Sequence, residues 1–138
     1  MNTYKFEELR IGQTESFEYK ITSEKMNIFR ELSGDCNPLH NDELFAQKYG
    51  YDGRVVYGML SALFISTLGG IYLPGKYCII QQIDCKFVSP VYVGDIITVK
   101  GSIKELNESV RQAVIKVEMK NQAEKKVVRA ILKVGFLE

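Results

Sequence analysis

Between Val55 and Leu68 the chain runs fourteen residues without a charge, and as a helix this stretch is apolar on every side. Such a helix is stable in water only when other elements cover it from several directions, so the rest of the chain must supply a wrapping. At about 21 Å it falls short of the ~30 Å hydrocarbon core of a bilayer and reads as a buried helix, not a membrane span. Gly69-Gly70 is its expected stop.

The wrapping follows from a change of period after Pro74-Gly75. Tyr77, Ile79, Ile83, Cys85 and Phe87 alternate with Gln82, Asp84 and Lys86, and Ile97, Val99 and Ile103 alternate with Thr98, Lys100 and Ser102. Two further strands collect Ala113, Ile115, Val117 and Met119, then Val128, Ala130, Leu132, Val134 and Phe136, on single faces. Short loops join them, which makes the meander antiparallel. Upstream, Phe17, Tyr19 and Ile21 mark a strand from Thr14 to Ile21, and Thr22 or Ser23 caps a helix that ends at Ser33-Gly34. A loop spans Gly34 to His40, and a short helix from Asp42 through Tyr49 stops at Gly50. The expected class is α+β, a single domain over residues 1–138 in which an antiparallel sheet wraps a long apolar central helix.

A chain of 138 residues buries about two thirds of its surface on folding, enough for one core. With 46% hydrophobic and 25% charged residues it is neither a disordered tail nor a fibrous repeat. Eighteen Lys and Arg against seventeen Asp and Glu give a net charge of +1, which removes the electrostatic case for nucleic acid or a membrane surface as partner. Cys36, Cys78 and Cys85 are an odd set without a C-x-x-C spacing, which argues against a disulfide framework or a zinc site and for a reducing, cytoplasmic setting. The acidic pair in Met-Asn-Thr-Tyr-Lys-Phe-Glu-Glu stands where a secretory signal needs its apolar stretch, so no export peptide is expected. So small a core has little room for both catalytic groups and a deep pocket, and an enzyme of this size is expected to borrow walls from a second copy.

His40 is the only histidine, and so the natural candidate for a base near neutral pH. Asp35 precedes it by five residues, and the intervening Asn37-Pro38 bend has the rigidity to aim both side chains at one point. A carboxylate and an imidazole converging on one water form an acid and base pair. An Asp after Gly also serves as a cap or an Asx turn, and a loop His also stands simply in solvent; spacing leaves these readings open. No second histidine is present for a metal site.

The longer string does more. Ser33-Gly34-Asp35-Cys36-Asn37-Pro38-Leu39-His40 resembles the signature of the MaoC-like dehydratases, the (R)-specific enoyl-CoA hydratases. Val56-Tyr57-Gly58-Met59-Leu60, Leu73-Pro74-Gly75 and Phe87-Val88-Ser89-Pro90-Val91-Tyr92-Val93-Gly94-Asp95 resemble further landmarks in the family's order, so the likeness spans nearly the whole chain. It implies the hot-dog fold, a homodimer with an acyl-thioester tunnel at its interface, and reversible hydration of trans-2-enoyl thioesters to (R)-3-hydroxyacyl thioesters. It also implies no cofactor beyond the coenzyme A or carrier protein that bears the acyl group. By the same resemblance Asp35 and His40 activate the water, the Gly58 backbone N–H receives the thioester oxygen, and Ser66 hydrogen-bonds the aspartate. Asn37 orients the loop. Tyr57 stands where most relatives have histidine, which bears on the shape or polarity of the pocket; Met59, Ser61, Leu63 and Phe64 divide between core and tunnel wall. Arg54, Lys76 and Arg111 suit coenzyme phosphates by residue type only. An acyl-CoA thioesterase on the same fold and a non-catalytic acyl-thioester-binding module are the competing readings; thioesterases of this fold generally lack the Asn-Pro-x-His string.

Overall fold

The computed structural model describes residues 1–138. Strand β1 (Thr14–Lys20) leads into α1 (Ser23–Ser33), α2 (Pro38–Asn41), α3 (Glu43–Lys48) and α4 (Gly58–Thr67). Strands β2 (Cys78–Phe87), β3 (Ile96–Asn107), β4 (Gln112–Lys120) and β5 (Lys126–Phe136) follow. They join β1 in one antiparallel sheet of order β1-β3-β4-β5-β2. Strands β3, β4 and β5 are consecutive hairpin partners, while β1 and β2 are added at opposite edges.

The alternation read from the sequence is the sheet's inner face. Ile97, Val99, Ile103, Ala113, Ile115, Val117, Met119, Val128, Ala130, Leu132 and Val134 are all buried. They form one core with Leu60, Ile65 and Leu68 of the central helix, and each such side chain contributes about 1.5–3 kcal/mol by leaving water. Gly101 on β3 leaves room for the Leu68 side chain: a Cβ there would lie 2.8 Å from a Leu68 methyl. No helix is long and apolar enough to cross a membrane.

Two local expectations change. The central helix starts at Gly58, not Val55, because Val55 bridges Tyr92 and the Val56 N–H donates to the Val91 carbonyl. Gly69-Gly70 does not stop it. The helix widens into π-helical turns over Leu68–Tyr72, closed by Leu73 N–H donating to Leu68 O at 2.8 Å. Gly69 serves packing instead, since a Cβ there would sit 3.2 Å from the Cys78 sulfur, and the chain leaves the helix at Leu73-Pro74, where proline has no N–H to continue it. In β2 a bulge between Ile80 and Gln82 reverses the side-chain phase. Ile80, opposite Val134, therefore shares the face of Ile83, Cys85 and Phe87, and Ile79, opposite Gly135, does not.

Candidate active site

The Ser33–His40 string is a relay of short-range hydrogen bonds. Gly34, at φ 73°, ends α1 in the left-handed region and donates its N–H to Arg30 O. The Ser33 hydroxyl then accepts from Asp35 N–H, Asp35 Oδ1 from Asn37 N–H, and Asn37 Oδ1 from Leu39 N–H. Each side chain thus satisfies the backbone two residues on, the ST- and Asx-turn geometry that competes with regular helix. Asn37 caps α2, and Pro38 sits in its first turn, where a missing N–H costs nothing. His40 accordingly lies on a helical turn, where an open loop was expected from the sequence.

The segment leading into α4 grips this turn. Arg54 Nε donates to His40 O at 2.8 Å, and Val55 N–H donates to Leu39 O at 3.2 Å. His40 Nδ1 lies 2.7 Å from Val55 O. A carbonyl only accepts, so Nδ1 carries a proton, and this contact selects the neutral tautomer in which Nε2 is the bare acceptor. Tyr57, 2% exposed, packs its ring on His40 with centroids 4.3 Å apart and on Phe29 at 4.6 Å.

His40 and Gly58 open onto one cavity of about 280 Å³, together with Ser61, Val55, Phe87 and Val128 among others. The backbone N–H groups of Gly58 and Met59 have no acceptor within the chain; the helix ladder begins with Leu60 and Ser61 donating to Tyr57 O. Free N–H groups at a helix N-terminus, backed by its dipole, stabilise negative charge. A Cβ on Gly58 would meet the Phe87 ring at 3.1 Å, so this lining is already closely fitted.

The remaining expected site residues fall elsewhere. Asp35 is exposed and its side chain does not line the cavity; Oδ1 is used by Asn37 N–H, and Oδ2 has no partner within the chain. Asn37 caps α2 through its side chain, and its amide lies outside the cavity lining. Ser66 is exposed and makes no hydrogen bond to Asp35: it stands five residues past Ser61, which at 3.6 residues per turn is about 140° around the helix. Met59 is 66% exposed, turned away from the cavity, and Tyr57 lies behind His40 and not in the cavity wall. Arg111 pairs with Glu7, and Lys76 sits over the Tyr77 ring.

Three contributors were missed. Ser61, left undecided between core and wall, is buried and in the cavity lining beside Gly58; the Gly58-x-x-Ser61 spacing, one helical turn, was the available signal. The Tyr19 hydroxyl donates to the Met119 sulfur at 3.7 Å, and burial pushes this phenol well above its ordinary range of ionisation. Arg54 acts on the site through the His40 carbonyl, and Asn41 through Asn37 and Tyr57; both depend on contacts that span the turn and carry no sequence signature.

A five-stranded antiparallel sheet curled on a buried helix, with a histidine turn at that helix's N-terminus, defines a hot-dog domain. Residues 7–127 match the family described as MaoC like domain, and the chain belongs to that family. It is 36% identical over 108 residues to a 3-hydroxybutyryl-CoA dehydratase of Methylorubrum extorquens, covering 78% of this chain and 69% of the relative. It is 40% identical over 93 residues to an (R)-specific enoyl-CoA hydratase of Rhodospirillum rubrum, covering 67% and 65%. The solved structure of an (R)-hydratase from Aeromonas caviae superimposes with a TM-score of 0.88 at 31% identity, over 93% of this chain and 97% of the other. These relationships make the chain an enzyme of the hydro-lyase class.

Proposed function

We propose that this protein catalyses the reversible addition of water to trans-2-enoyl thioesters, forming (R)-3-hydroxyacyl thioesters. The observation that carries the reading is the shared cavity of His40 and Gly58, an imidazole whose Nδ1 is held by the Val55 carbonyl on the same cavity as a helix N-terminus with free N–H groups. In the hydration direction His40 Nε2 accepts a proton from water as its oxygen bonds to C3. Electron density moves through C2 onto the thioester oxygen, where the Gly58 N–H stabilises it. The imidazolium then returns the proton to C2, so both atoms of the addition arrive on one face of the alkene. In this scheme Asp35, exposed and outside the cavity lining of the single chain, turns its free Oδ2 toward the cavity to hold the second hydrogen of the water. Coenzyme A or a carrier protein bears the acyl group, and three unpaired cysteines fit a reducing, cytoplasmic setting.

The same proposal includes a second copy. β2 is an edge strand with a full row of unpaired backbone groups, and Ile80, Ile83 and Phe87 on its inner face are 37%, 40% and 52% exposed. A long apolar edge of this kind pairs with another strand; a second β2 would cover it and close the cavity beside Phe87. The test is loss of the conjugated enoyl chromophore from crotonyl-CoA and longer enoyl-CoAs, with wild type, Asp35→Asn and His40→Gln compared. Both substitutions are expected to abolish turnover while leaving the fold intact, and full activity in both overturns the assignment. A thioesterase would instead release free thiol from acyl-CoA.

A further inference from the structure

The side chain behind His40 connects every part of the proposed site. Tyr57 is 2% exposed, yet its hydroxyl is fully used: it donates to the Asp35 carbonyl at 2.6 Å and accepts from Asn41 Nδ2 at 3.0 Å. Asn41 Nδ2 also donates to Asn37 O at 2.9 Å. The phenol therefore ties the first residue of the turn, Asp35, to its last, Asn41. The ring lies against the imidazole of His40 at an interplanar angle of 32°. The Tyr57 backbone is the N-cap of α4, with its carbonyl accepting from Leu60 and Ser61, so it also fixes the peptide that presents the Gly58 N–H.

From this convergence we infer that Tyr57 is the positioning residue of the site, one buried phenol that sets the Asp35 backbone, the His40 ring and the Gly58 N–H in a common register. The inference rests on the proposed hydratase reading. Tyr57 does not reach the cavity and touches no reacting atom; it works by removing freedom from groups that do. Such preorganisation is worth most in the transition state, where small misplacements are costly. The consequence is a split between kinetic constants. Substrate binding, made elsewhere on the cavity wall, is left intact, while the chemical step suffers.

Tyr57→Phe keeps the ring against His40 and removes only the hydroxyl. It is expected to lower kcat about tenfold, the equivalent of one hydrogen bond of about 1.4 kcal/mol, with KM within twofold of wild type. Tyr57→Leu also removes the ring and is expected to lower kcat further. Because His40 is the only histidine, acylation by diethyl pyrocarbonate reports that imidazole alone. It should be several-fold faster in Tyr57→Leu and near wild type in Tyr57→Phe. Melting temperatures establish that all variants are folded at the assay temperature. A Tyr57→Phe variant with kcat within twofold of wild type, a loss confined to KM, or unchanged His40 reactivity in Tyr57→Leu would each overturn the inference. Should the wild type lack hydratase activity, the functional proposal fails on its own, and the acylation rates still decide whether Tyr57 clamps the histidine.

Discussion

Replacing Gly58 with alanine puts one methyl group at the point where the cavity, the helix N-terminus and Phe87 meet. The Cβ would stand 3.1, 3.2 and 3.3 Å from three carbons of the Phe87 ring, inside the ~3.5–4.0 Å separation at which carbon atoms attract. Overpacking of this kind costs about 1–3 kcal/mol. Helix propensity returns up to about 1 kcal/mol, because alanine replaces glycine. The net destabilisation is then about 0–3 kcal/mol, a fall in melting temperature of up to roughly 12 °C for a domain of this size.

Activity should fall much further, because the methyl stands beside the N–H that receives the thioester oxygen. Loss of one oxyanion donor costs about 10²–10³ in kcat. Hydration of crotonyl-CoA, measured below the melting temperature, separates the two effects. Adding Phe87→Ala removes the ring that the methyl strikes. The clash is relieved in the double variant, and its rate should stay low because the methyl still obstructs the N–H. A Gly58→Ala protein that turns over within twofold of wild type would refute the oxyanion role.

Ile83→Lys on β2 is expected to convert the proposed dimer to monomer without unfolding it, since Ile83 is 40% exposed within one chain; light scattering that still finds a dimer contradicts pairing along that strand. Glu118 lies 3.3 Å from Lys116 and 3.5 Å from Lys126, and the Lys116 hydrogen bond, followed by the charges of both lysines, holds its carboxyl below the usual range. A carboxyl depressed on folding stabilises the protein above its unfolded pKa, about 4.3, and that contribution disappears as pH falls through the folded value. Glu118→Gln should therefore cost less than about 1 kcal/mol at neutral pH, and urea midpoints of variant and wild type should converge below about pH 4; a constant gap across that range would contradict the pairing.

Most of the fold is visible as period. The inner-face residues of β4 and β5 alternate because each strand packs one face on the core and, apart from the buried Val114 and Val127, turns the other largely toward water, a condition that writes itself into the chain. The Thr22 cap and the Gly34 stop are equally local. The ends of α4 are not legible in the sequence because they depend on partners: Val55 and Val56 are drawn into pairing with Tyr92 and Val91, and Gly69 is held against Cys78 and Leu132. The β2 phase shift arises from a bulge whose position only the neighbouring strand reveals.

For the site, the sequence by itself determined the hydrogen-bond relay from Ser33 to Leu39, because its bonds span two residues and need no other element. It also determined that His40 is the only imidazole available. Tertiary structure alone decided which face of α4 meets that histidine. There the choice fell on Gly58 and Ser61, with Ser66 and Met59 outside. It likewise decided that Tyr57 lies behind the imidazole and Asp35 outside the cavity lining. An all-round apolar helix has no intrinsic front: its own residues specify that it is buried, and only the sheet packed against it specifies how it is turned.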